Sequence, residues 1–156
     1  MRSLLARAGC HALVGTKLAY SLAVRRLVFN WLECMSSASH DPQCIFCKII
    51  AGEIPSKKVY EDEDIFAFHD IKPWAPVHFL MVPKHHIASM AHVQASDAPW
   101  LGKIMAKAPE LALQLGCNPY PEGGFRVVVN TGEEGGQEVH HLHVHVMGGP
   151  RPWLKG

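Results

Sequence analysis

The chain has 156 residues, 48% hydrophobic and 19% charged, which excludes wholesale disorder and sets the size at one ordinary domain. Fifteen Lys and Arg against fourteen Asp and Glu leave a formal charge of +1, too little to hold a nucleic acid by bulk electrostatics. Apolar runs are broken by Arg, Lys, Gly or Pro before the roughly 18 to 20 residues that a bilayer span needs, so neither a nucleic-acid nor a membrane partner is expected.

Residues 1–40 carry Arg2, Arg7, Lys17, Arg25 and Arg26 against the single acid Glu33, with Leu, Ala, Ser and Val filling much of the rest. An Arg-bearing, acid-poor leader of this kind reads as an organelle transit peptide, with the mitochondrion as destination. The alternatives are a disordered extension, or a start at Met35, on a cytoplasmic protein or one of another organelle. Residues 41–156 read as the folded domain. Cys44 to Ala51, closed by Gly52 and followed by Pro55, predicts a short helix with a glycine C-cap. Three short strands are expected at Val59 to Glu61, Ile65 to Asp70 and His78 to Val82. From Leu101 to Leu115 apolar residues, Ile104, Met105, Ala108, Leu111 and Ala112 among them, recur at three- and four-residue spacing. That is a long amphipathic helix, with Ser96 or Asp97 as N-cap and a kink or break at Pro109. Phe125 to Asn130 and Val139 to Val146 complete an α+β domain whose sheet of about five strands is mostly antiparallel.

In His141-Leu142-His143-Val144-His145-Val146 polar and apolar residues alternate strictly, and strand side chains alternate between faces. Three imidazoles therefore share one face, with Leu142, Val144 and Val146 on the other. One histidine on a strand is usually a hydrogen-bonded surface residue. Three in alternation, beside Gly135, Gly136, Gly148 and Gly149, point to a metal site or a nucleophilic imidazole. A neutral imidazole attacks phosphorus well at pH 7, and the middle residue, His143, has neighbours at i−2 and i+2 able to fix its tautomer and stabilise phosphoryl oxygens. A pure metal site more often draws its ligands from separate elements.

Five cysteines, Cys10, Cys34, Cys44, Cys47 and Cys117, are an odd number without a secretory signal, so reduced thiols are expected. Cys44-Ile-Phe-Cys47 has the spacing of half a zinc site. Redox dithiols share it, and two buried thiols are the plain alternative.

The run Val139-His140-His141-Leu142-His143-Val144-His145-Val146 resembles the histidine triad signature. The likeness extends through CIFCKIIAGEIPSKKVYEDE, AFHDIKPWAPVHFLMVPKHHI, FRVVVNTGEEGGQEV and HVMGGPRPW, that is, residues 43–153. Among histidine triad (HIT) proteins it is most similar to the Hint branch, nucleotide-binding proteins that act as nucleoside phosphoramidases. The resemblance implies the HIT-like fold, with His143 as the nucleophile that forms a nucleotidyl-histidine, His141 and His145 as flanking triad members and His78 as a fourth active-site histidine. It places Asp70 on the ribose hydroxyls and Phe46, Ile54, Phe68 and Ile71 around the nucleobase. Asn130 lies beside the triad, and Gly135, Gly136, Gln137 and Glu138 form the loop at the phosphate. Glu138 stands where many animal members have serine. The resemblance also implies a homodimer, and a structural zinc on Cys44, Cys47, His78 and His141, with no cofactor needed for the chemistry.

The expected activity is hydrolysis of purine nucleoside phosphoramidates, such as adenylated amines, to a nucleoside monophosphate and an amine. The alternatives are a Fhit-type dinucleoside polyphosphate hydrolase and a non-catalytic regulatory module that binds nucleotide or zinc.

Overall fold

A computed structural model of the chain describes residues 40–153, all within one compact unit, Ala38–Gly156. The leader reading falls on residues that lie outside the described ones. The elements are helix α1 (Ile45–Ile50), strands β1 (Lys58–Glu61), β2 (Ile65–His69) and β3 (Val77–Pro83), two 3₁₀ turns at Met90–His92 and Ala95–Asp97, helix α2 (Ala98–Gln114), and strands β4 (Phe125–Val128) and β5 (Val144–Gly148). The five strands form one antiparallel sheet in the order β1-β2-β3-β5-β4. This is the expected α+β architecture, with one short helix and one long one.

The sheet is covered on both faces, and strand alternation decides which side chain goes where. Ile65 and Ala67 of β2, Phe79 and Met81 of β3, and Val144 and Val146 of β5 pack with Leu142 against Trp100, Ile104, Ala108, Leu111 and Ala112 of α2. The intervening residues Phe66, Phe68, Leu80 and Val82 pack against Cys44, Phe46 and Cys47 of α1. Because β2 and β3 are buried on both faces, their sequences read as continuous apolar runs. Truncating a fully buried member such as Ile104 to Ala should cost about 2–5 kcal/mol.

Helix α1 begins at Cys44, whose Sγ accepts the Cys47 N–H at 3.5 Å. Gly52 follows it with φ +78, a conformation that only glycine takes without strain. Of the kink or break expected at Pro109 the break does not occur, and helix α2 runs through it from Ala98 to Gln114. The proline leaves the Met105 carbonyl without an intrahelical donor, and both residues sit on the exposed side, where water can serve it. Met105, grouped with the buried stripe in sequence, is 48% exposed.

The histidine strand is shorter and later than its alternation suggests, starting at Val144 rather than Val139. In the β3–β5 register Leu80 faces His145 and Met81 faces Val144, so the next non-adjacent partner of Leu142 would be Pro83. Proline has no N–H to give a ladder. Leu142 N–H instead donates to the Ile87 carbonyl at 2.6 Å, and His141 N–H to that of Val139 at 2.8 Å. The alternation of faces nevertheless persists through this irregular stretch, and it carries the site.

Candidate active site

His141, His143 and His145 are all buried, on the α1 side of the sheet. The Phe46 ring joins them to the apolar cluster under α1, with its centroid 5.3 Å from that of His143, 6.0 Å from His141 and 5.5 Å from Phe68. His78, one turn of the pleat from Leu80 on β3, reaches His145 across the strand pair.

Hydrogen bonds to groups with only one possible role settle the tautomers. His143 Nδ1 lies 2.7 Å from the carbonyl oxygen of His141. A carbonyl only accepts, so the proton is on Nδ1 and the Nε2 lone pair is free. The backbone N–H of Trp74 donates to His78 Nδ1 at 3.0 Å, which puts the His78 proton on Nε2. That proton points at His145 Nδ1, 2.9 Å away, so His145 carries its own on Nε2. His141 donates from Nε2 to the Pro83 carbonyl at 2.9 Å, leaving its Nδ1 lone pair facing Cys44 Sγ at 3.4 Å and Cys47 Sγ at 3.6 Å. The result is a lone pair at the middle of the row and an N–H donor beside it.

Burial keeps these rings neutral. It lowers His141 to about 4, with the Pro83 hydrogen bond opposing, and lowers His145 to about 4, helped by His143 and His78 and opposed by Asp70. His143 is lowered by burial too, against its hydrogen bond to His141 and the charges of Asp70 and Glu138.

Two clusters offer ligand atoms to a metal, Cys44, Cys47, His86 and His141 in one and Asp70, His78 and His145 in the other. Zinc with ordinary Zn–S and Zn–N bonds sets sulfur-to-nitrogen edges of about 3.5–3.6 Å in a tetrahedron. In the first cluster those edges are 3.4 and 3.6 Å to His141 and 3.5 Å from Cys47 Sγ to His86 Nδ1. The spacing fits, and the His141 tautomer turns a lone pair toward the centre. The fourth member is His86, not the expected His78. The second cluster has edges of 2.9, 3.5 and 4.0 Å. There the Trp74 N–H forces a proton onto His78 Nε2, where a metal would need a lone pair, so His78 belongs to a hydrogen-bond relay.

The other expected site residues divide. Phe46 and Phe68 are buried in contact, and Asp70 Oδ2 lies 3.5 Å from His78 Nε2 while Oδ1 accepts the Lys72 N–H. Ile71 is 94% exposed and does not pack with Phe46 and Phe68, contrary to the expected lining, and Ile54 is half-buried outside their cluster. Asn130 donates from Nδ2 to the carbonyl of Gly136, whose φ of +73 turns the loop. Gln137 is spent within the protein. Its Nε2 donates to the Ala88 and Val139 carbonyls and its Oε1 accepts the Gly132 N–H, which makes it the tie of the loop rather than a nucleotide contact. Glu138 is exposed. His86 and Trp74 escaped the sequence reading. The available signal for His86 was its place three residues past the end of β3, beside the first triad histidine.

The family described as "Scavenger mRNA decapping enzyme C-term binding" matches residues 43–154. The chain is 51% identical over 107 residues to "Protein HitA" of Neisseria gonorrhoeae, covering 69% of this chain and 96% of that protein. It is 43% identical over 107 residues to the "Purine nucleoside phosphoramidase" of Escherichia coli, covering 69% and 87%. Among solved structures, a HIT family hydrolase from Legionella pneumophila superposes with a TM-score of 0.65 at 45% identity, covering 70% of this chain and 95% of that one. A Zn-bound histidine triad family protein from Mycobacterium smegmatis gives 0.60 at 26% identity, covering 70% and 76%.

Proposed function

This chain belongs to the histidine triad family, and from its site we propose that it is a purine nucleoside phosphoramidase, which splits adenylated amines into a nucleoside monophosphate and an amine. One observation carries the reading: His143 holds its proton on Nδ1 against the His141 carbonyl, so Nε2 presents a lone pair beside the His145 Nε2–H. In the first half-reaction Nε2 of His143 bonds to phosphorus as the P–N bond breaks, the leaving nitrogen takes the His145 proton, and the negative charge left on the His145–His78 pair is balanced by the positive charge on the phosphorylated His143 ring. In the second, water attacks phosphorus, the P–Nε2 bond breaks, and a water proton restores His145. Asp70 offers its carboxylate to the ribose hydroxyls, and Phe46 and Phe68 offer apolar surface to the base. The E. coli relative supports this choice of substrate.

Turnover of a fluorogenic adenosine phosphoramidate tests the proposal. The wild type should hydrolyse it, and His143→Ala should lose about 10³-fold or more in kcat while still binding adenosine monophosphate. Undiminished turnover by that variant would remove the mechanism, and preference for a dinucleoside polyphosphate would move the chain to the Fhit-type activity.

Cys44, Cys47, His86 and His141 would hold a zinc ion, and the Zn-bound Mycobacterium relative supports zinc as the ion without locating it. Zinc held there would clip together α1, the segment after β3 and the triad. Such a clip would anchor His141, whose carbonyl fixes the His143 tautomer.

A further inference from the structure

Trp74 lies in the loop between β2 and β3, in the stretch Lys72-Pro73-Trp74-Ala75-Pro76. Its indole stacks on His145 with centroids 5.5 Å apart and planes 13° from parallel. It also stands 5.7 Å from the His78 ring, whose Nδ1 accepts the Trp74 N–H. One residue thus touches both members of the relay, His78 through the backbone and His145 through the side chain. Two prolines, each with a fixed φ, bracket it and stiffen the loop that presents it.

The hydrogen bond at Nδ1 fixes one point of the His145 ring. The terminal torsion of histidine is broad, so a swing about Cβ–Cγ would redirect the Nε2–H on the far side of the ring. A nearly parallel indole against one face closes that swing, while the edge of His143, 5.0 Å away at 69°, lies against the ring from another direction. We propose that Trp74 is a positioning residue for proton donation, its indole setting the plane of His145 and its backbone N–H setting the tautomer of His78. The claim rests on the reading of His145 as proton donor to the leaving nitrogen.

The consequence depends on the leaving group. An alkylamine leaves phosphorus only as it takes a proton: the Nε2–P bond to His143 forms, the P–N electron pair goes to nitrogen, and nitrogen takes the His145 proton, which the attacking water later returns. A p-nitrophenolate leaves as a stable anion and needs no proton. A misaimed His145 should therefore slow the first substrate far more than the second, whereas general damage to the pocket would slow both alike.

The experiment compares wild type, Trp74→Ala and Trp74→Phe on an adenosine 5′-alkylphosphoramidate and on the p-nitrophenyl ester of adenosine monophosphate. Trp74→Ala should lower kcat on the phosphoramidate by about 10- to 100-fold, at or below the lower part of the range for general acid catalysis, with KM little changed. Its loss on the ester should be at least about tenfold smaller. Trp74→Phe, which keeps an aromatic face and the backbone N–H, should recover most of the phosphoramidate rate. Equal losses on the two substrates, no loss on either, or no recovery by a folded Trp74→Phe would overturn the assignment of Trp74. A wild type that hydrolyses neither substrate would instead overturn the phosphoramidase reading, and the role of Trp74 with it.

Discussion

A buried histidine row is workable because each ring has an oriented, neutral partner scheme. His143 donates to a carbonyl, His78 accepts from a backbone N–H, and His141 donates to the carbonyl of a proline that has no N–H of its own to contribute. No buried side-chain nitrogen or oxygen among the described residues lacks a partner, which is what keeps so polar a cluster affordable inside the fold. Neutrality has a consequence for stability. The folded chain holds His145 at about 4, whereas an unfolded histidine titrates near 6.5. Between those values the unfolded chain takes up a proton that the folded one refuses, so this contribution is present above about pH 6.5 and is lost as the pH falls toward about 4. Melting temperature should therefore decline over that interval, and His145→Gln should flatten part of the decline. A wild-type curve flat from pH 7 to 4.5 would contradict the neutral row.

Elements bring these residues together, and here the sequence was readable in some places and silent in others. Period-two alternation located the triad face and the opposing core residues Leu142, Val144 and Val146 correctly, because burial on both sides enforces it even where strand pairing has stopped. Strand limits were less legible, since the end of the ladder depends on Pro83, some sixty residues upstream in the chain. For the same reason the second imidazole of the cysteine cluster was misassigned. His78 lies near the start of β3 and His86 three residues past its end, and only the folded chain shows that His86 meets Cys47 while His78 meets His145. Trp74 gave no pattern at all, because stacking on a ring from another strand leaves no trace in local spacing. At this scale zinc is the decisive variable. Protein purified without chelator should carry about one zinc per chain, and Cys44→Ser with Cys47→Ser should lose it and melt lower, since binding free energy at a site absent from the unfolded chain becomes folding free energy. His86→Ala should behave similarly, and His78→Ala should retain the metal. Loss of zinc from His78→Ala with retention in His86→Ala would reverse the assignment.

Across the described residues the two faces of the sheet differ in what they carry, the face under α2 being wholly apolar and the face under α1 holding the histidine row. Among the described residues strand β4 is an edge, paired to β5 alone, and the outer side of α2 presents Met105 and Leu113 at 48% and 49% exposure. From the edge strand and the exposed apolar side chains of α2 we propose pairing with a second copy across a two-fold axis. Light scattering coupled to size exclusion should accordingly give twice the chain mass at micromolar concentration, and a single-chain mass would refute the dimer. Among the described residues no helix is long and apolar enough to cross a membrane. The proposed reaction turns on one covalent bond. Rapid quench of the enzyme with an adenosine phosphoramidate under neutral or basic conditions, followed by peptide mass spectrometry, should find an adenylyl group on the peptide containing His143, localised to that residue and absent from His143→Ala. An adduct on another residue, or full turnover with water attacking phosphorus directly and no adduct at any time, would contradict it.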